Sequence, residues 1–190
     1  MNQDFTKQVK ATAEELLHNI HTAIPGKIIK YDAAKCEAEI LPYGKFKKPS
    51  GEFIDYPKLH HIPILFPQSC GQNVAIAYPI KEGDGCLIFI AEQTLDIWRS
   101  GGESNNDLRF DLTNSVALVG MFSSPQPLAQ EAQNQNAVII GNNGTRLYIT
   151  ADGYVNIEGN ANISGGMAIS GNVTISGNLT VSGSISGYPT

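Results

Sequence analysis

The chain has 190 residues, 42% of them hydrophobic, enough for one packed core or two small ones. Its 13 Lys and Arg against 18 Asp and Glu leave a net charge of −5, which argues against attraction to nucleic acid or an anionic membrane. No run approaches the roughly 18 apolar residues of a membrane span, and the first residues, MNQDFTKQVK, lack the apolar core of a signal peptide. Three widely spaced cysteines, Cys36, Cys70 and Cys86, form no CxxC pattern and read as free thiols of a protein made in a reducing cytoplasm.

Residues 1–24 form the first segment. Phe5, Val9, Ala13, Leu16, Leu17 and Ile20 recur at helical spacing, which predicts an amphipathic helix from residue 4 to about 22, stopped by Pro25-Gly26. Its single apolar stripe must dock, either on the strands that follow or on another subunit. His18 and His21 share a face at a spacing that could hold a metal, but no third ligand completes the set, so they read as solvated.

Residues 25–122 read as a small antiparallel β-domain. Candidate strands are 27–31, 36–41, 62–66, 74–78, 86–91 and 116–122, separated by turn-forming stretches such as Glu82-Gly83-Asp84-Gly85. That many short strands in so few residues suit a closed barrel of the oligonucleotide/oligosaccharide-binding (OB) kind, which also disposes of sheet edges. The one basic and aromatic run, 43–49, falls in a loop, so nucleic acid is not an expected partner. His60 and His61 are adjacent, and alternation along a strand would send them to opposite faces, away from a shared metal. Asp84, Asp96, Asp107 and Asp111 read as turn formers and caps, and Ser69-Cys70-Gly71 has no base assigned near it. No catalytic, cofactor-binding or metal-binding residue is assigned.

Residues 123–137, rich in Pro, Gln and Asn, read as a linker. From 138 to 190 the pattern changes. Glycine recurs every six residues at Gly153, Gly159, Gly165, Gly171, Gly177 and Gly183. Between them the apolar positions alternate with Asn, Ser and Thr: Ile157, Ile163, Met167, Ile169, Val173, Ile175, Leu179, Val181 and Ile185. This is a strand ribbon with one wet face and one face that needs cover, and the glycines share the apolar parity. Tyr188 and Pro189 break the repeat and suit a terminal cap or tip.

One copy of this ribbon does not stand alone. Ordering a residue costs about 1–2 kcal/mol, whereas burying a large aliphatic side chain returns about 1.5–3 kcal/mol, and only one residue in three here is large and apolar. Coiling on itself as a left-handed hexapeptide β-helix would give barely two coils, fewer than the three units that stacking requires. Winding with two further copies removes the unpaired edges. The expected architecture is therefore all-β: a short N-terminal helix, an OB-like antiparallel barrel, and an intertwined triple-stranded β-helix in a homotrimer.

Three stretches, PGKIIKYDAAKCEAEILP, IPILFPQSCGQNVAIAYPIKEGDGCLIFIAEQTLDIWRSGG and RFDLTNSVALVGMFS, come in this order ahead of the hexads. Together they resemble the baseplate central spike proteins of contractile-tailed phages, of the Mu-like, baseplate assembly protein V type, and of related contractile particles. The resemblance implies a virion protein of the tail baseplate: a homotrimer held by its barrel end to a hub protein. Its β-helix would pierce the target cell envelope, contacting it transiently when the sheath contracts. Many members end in a tip where His-x-His motifs bind iron; no histidine follows His61 here, so iron is not carried over. The point is then built differently, on Tyr188-Pro189 or by a separate tip protein. Two other classes compete. A hexapeptide-repeat acyltransferase is disfavoured because Ser164, Ser170, Ser176 and Ser182 interpose between aliphatic residue and glycine, and no histidine lies in the coils. The other is an OB-barrel binding adaptor with a trimerising stalk.

Overall fold

A computed structural model describes residues 2–18, 20–48, 50–101, 108–122 and 124–187, which divide into two compact units, Met1–Gln126 and Pro127–Thr190. The protein is mostly β with few helices. None of the described helices is long and apolar enough to cross a membrane.

The first unit begins with helix α1 (Asn2–His18). It ends earlier than its apolar spacing predicts, and Pro25-Gly26 is not its stop. Those two residues lie inside strand β1 (Ala23–Asp32). Gly26 is there for close packing: a Cβ would sit 2.8 Å from both Ile40 Cγ2 and Ile88 Cδ1. The stripe of α1 finds no cover on the strands, since Phe5, Val9, Leu16 and Leu17 are all exposed.

β1 is followed by β2 (Glu37–Pro42), β3 (Lys45–Lys47), β4 (Phe53–Asp55), β5 (Leu59–Pro63), β6 (Gln68–Ser69), β7 (Val74–Ala75) and β8 (Gly85–Ile90). Helix α2 (Leu95–Ser100) and strand β9 (Ser115–Val119) complete the unit. Five strands form one antiparallel sheet in the order β5-β2-β1-β8-β9. β1 pairs with β8 through Ala23–Lys27 and with β2 through Gly26–Asp32, so one long strand changes partner along its length and the sheet curls into a half-barrel. Its outer edges approach at one parallel bridge, Ile64 with Ala117, where the Leu65 N–H donates to the Ala117 carbonyl at 2.9 Å. The core is what the period of two dictates: alternate residues of β2 and β8 point inward, and Ile28, Ile40, Ile62, Cys86 and Ile88 are fully buried.

Several expectations fail. The stretch 74–78 contributes only the two-residue β7, paired with β6 in a small hairpin outside the main sheet, and Val74 and Ile76 are exposed. The basic run read as a loop instead forms the hairpin β3–β4, in which Lys45 pairs with Asp55 and Lys48 with Glu52. The supposed linker holds helix α3 (Pro127–Gln135). Its Pro sits at the first helical position, where a missing N–H costs nothing, and Leu, Ala, Gln and Glu are good helix formers.

The second unit continues with a three-stranded meander: β10 (Ala137–Asn142), β11 (Thr145–Thr150) and β12 (Val155–Glu158). Asn143-Gly144 is a two-residue hairpin turn, with Asn143 at φ +52°. Gly153, at φ +88°, lies in the second reversal, where Thr150 bonds the Tyr154 backbone and its hydroxyl donates to Asp152. Residues 138–158 therefore pair among themselves within one chain, and Gly153 serves a turn rather than a crowded axis. Beyond Glu158 no strand follows among the described residues.

Candidate functional site

The predicted assembly residues have a common fate in the single chain. Ile157, Ile163, Met167, Ile169, Val173, Ile175, Leu179, Val181 and Ile185 are all exposed, from 45% for Val181 to 76% for Ile185. A row of large aliphatic side chains left bare over about thirty residues is what soluble monomers avoid and interfaces use. Gly165, Gly171, Gly177 and Gly183 have nothing within 4 Å of a built Cβ, so no crowding inside the chain demands glycine there. Gly159 differs. Its φ is +113°, and a Cβ would lie 2.9 Å from Thr145 Oγ1, so this second of the six glycines packs against the meander. Tyr188 and Pro189, the expected tip, lie outside the described residues.

The meander adds residues that the hexad pattern missed. α3 packs across one face, with Leu128 against Gly141, and buries Tyr148. The Tyr148 hydroxyl lies 2.8 Å from Glu131 Oε1 and 3.0 Å from Glu158 Oε2, and has one proton to give between them. Arg146 Nη1 stands 3.2 Å from Glu131 and offsets the paired carboxylates. A hydrogen bond from Arg146 favours the phenolate, but burial and the bonds to Glu131 and Glu158 outweigh it, and the Tyr148 pKa rises.

In the first unit, charge gathers on the outer face of β2. Two residues of β5, His60 and His61, oppose the single Glu39, because the pairing slips between Ala38 and Ile40. His61 takes φ +59° in this bulge. The expected alternation is thus broken: His60 reaches Glu39 (3.7 Å) and His61 reaches Glu37 (3.1 Å), two carboxylates on one face. Arg99 of α2 bonds the other Glu37 oxygen at 2.9 Å. That bond holds the Glu37 carboxyl below its ordinary range, with His61 adding to it. Lys58 does the same for Glu39. Among the described residues no group of three or more His, Cys, Asp or Glu is placed to hold a metal ion. The side chain of His18 is outside the described residues, and His21 rests edge-on against the Tyr56 ring. Asp107 also falls outside them. Asp84 and Asp111 form turns, Asp84 accepting from the Lys81 N–H and Asp111 from Thr113. Cys70 sits at the exposed tip of the β6–β7 hairpin, where Asn73 bonds its carbonyl.

The approach to β9 is organised by Asn114. Its Oδ1 accepts the Leu95 N–H at the start of α2, and its Nδ2 donates to the carbonyls of Ala91, Gln93 and Leu108. One buried amide thereby ties the end of β8, α2 and the loop before β9. This frame of five strands plus a pinned α2 occupies residues 23–119, and the model of one protein family covers nearly the same span. That family is the phage protein Gp138 N-terminal domain, matched over residues 24–120. The chain belongs to this family. The Gp138 N-terminal domain runs from Ile24 in β1 to Gly120 just past β9, so it is the curled sheet itself with its two hairpins and α2. α1 and the whole second unit lie outside the matched residues. Membership supports a phage structural protein with a virion-associated place. No curated protein matches the chain.

Proposed function

We propose that this chain is the central spike of a phage or phage-like contractile tail baseplate. In this reading it is structural and non-enzymatic. Three copies associate, their segments from Gly159 to Gly187 wind into a triple-stranded β-helix, and the rod pierces the target envelope when the sheath contracts. The sheet end binds the baseplate hub. The observation that carries the reading is the bare hexad stripe in a chain whose first unit is a phage protein domain. A chain that leaves eight aliphatic residues from Ile163 to Ile185 exposed, with no strand partner, is half of an interface. The strand order, with edges meeting at Ile64 and Ala117, favours an OB-like barrel at the hub-binding end.

The mechanical task suits this composition. Interchain ladders share an axial load over many hydrogen bonds, and after Arg146 only Asp152 and Glu158 carry side-chain charge, which lowers the cost of entering a membrane. Sedimentation of the full chain tests the assembly: a mass three times the 20.4 kDa chain supports it, and a monomer at micromolar concentration overturns it. Replacing several hexad Ser and Thr residues by Lys tests the piercing step. Unchanged infectivity or killing would remove the envelope-crossing role.

A further inference from the structure

The register of the meander sets two cross-strand rows on one face: Val138–Ile149–Val155 and Ile140–Leu147–Ile157. Five of these six aliphatic residues are exposed, and Leu147 is half-buried. The opposite face carries Arg146, Tyr148 and Glu158, and that polar face is the one α3 covers through Glu131 and Leu128. α3 therefore covers the face that holds Ile139 and this polar network, while a contiguous apolar patch, on the order of 500 Å², stays bare on the other. The meander pairs within one chain and α3 lies on one of its faces, but nothing among the described residues covers the other.

We infer that the bare face of β10–β12 is where three copies of the chain first meet, each face covered by those of two further copies, so that a self-folded collar sets the register from which the hexads wind. The inference rests on the trimeric reading above and adds its nucleus. Two observations favour further copies of this chain over a different partner. In the sequence, Ile157 stands two residues before Gly159 and shares the alternating apolar parity of Ala161 and Ile163, so the apolar pattern of this face is continued by the hexads. The face also bears no charge, while the ionisable groups of the sheet, Arg146 and Glu158, point to the other side. Symmetric association brings a surface against copies of itself, where any charge would meet its own kind; this face avoids that.

Full-length variants separate the two levels. Ile140→Glu with Val155→Glu charges the collar face, and Ile175→Glu with Val181→Glu charges the hexads. Masses are read by sedimentation across chain concentration, with circular dichroism as the check on folding. The expected result is that the collar variant dissociates at a concentration at least tenfold higher than the unsubstituted chain, while the hexad variant stays trimeric and becomes protease-sensitive after Gly159. A trimeric collar variant beside a monomeric hexad variant overturns the inference and leaves the trimeric spike standing. A monomeric unsubstituted chain overturns both. If the Glu pair fails to fold, Val138→Thr, Ile140→Thr and Val155→Thr together decide. These keep β-branched shape on a solvent-facing surface, so a folded protein with weakened association supports the collar, and unchanged association overturns it.

Discussion

Asn114→Ala isolates the residue on which the first unit's last strand depends. Four hydrogen bonds disappear, but they are not equivalent. The Ala91 carbonyl keeps the Phe110 N–H at 3.2 Å, and the Leu108 carbonyl keeps the Asp111 N–H at 3.3 Å. The Leu95 N–H and the Gln93 carbonyl lose the bonds of 2.9 Å and 2.8 Å that Asn114 supplies. Two groups deprived of a partner at about 1–2 kcal/mol each give a loss of about 2–4 kcal/mol. For a unit of this size that is a fall in melting temperature of about 8–16 °C. Thermal unfolding followed by circular dichroism at one fixed chain concentration reads it, since association would otherwise shift the midpoint. Asn114→Asp supplies a second reading. A carboxylate placed where Nδ2 now meets three carbonyls is disfavoured, so its folded pKa lies above its unfolded one. The Asp variant is then least stable at neutral pH and recovers as pH falls and the carboxyl gains a proton to donate. A loss below about 1 kcal/mol for the Ala variant, or an Asp variant indifferent to pH, would refute the assignment of Asn114 as the tie.

Other expectations follow from single contacts. Gly159→Ala places a Cβ 2.9 Å from Thr145 Oγ1 at φ +113°, and should cost about 1–3 kcal/mol by chemical denaturation; no loss would mean the turn relaxes freely. Arg99→Ala should raise the Glu37 pKa, which carbon-detected NMR titration reads. The depressed pKa stabilises the fold above the unfolded carboxylate value and is lost as pH falls through the folded one, so the variant's deficit should shrink in acid. A deficit that grows in acid would contradict the pairing. With Arg99 40% exposed, the deficit should stay within about 1 kcal/mol. Burial pushes the Cys86 thiol up to about 11, whereas Cys36 and Cys70 are exposed, so a thiol reagent should modify two cysteines in the folded protein and the third only on unfolding.

What the amino-acid order determined by itself is whatever repeats over a short span. The charged and apolar residues that alternate from Glu37 to Ile40 mark the inward side of β2, and the period of six named a stripe that one chain cannot cover. Both depend only on strand geometry, in which the face a residue occupies follows from its parity. Tertiary structure alone decided the rest. Residues 74–78 carry a strand's composition, yet only Val74–Ala75 pair, and they do so with β6 outside the main sheet. His60 and His61 share the Glu37 and Glu39 face because a bulge opposite Glu39 cancels alternation, and a bulge leaves no composition signature. α3 hid in a Gln-rich stretch whose only clues were Pro127 and the helix formers behind it. The choice of face in the meander was equally out of reach. Parity separated Ile157 from Glu158, but only the arrival of α3 on the Tyr148 side left Val138, Ile140, Ile149, Val155 and Ile157 exposed.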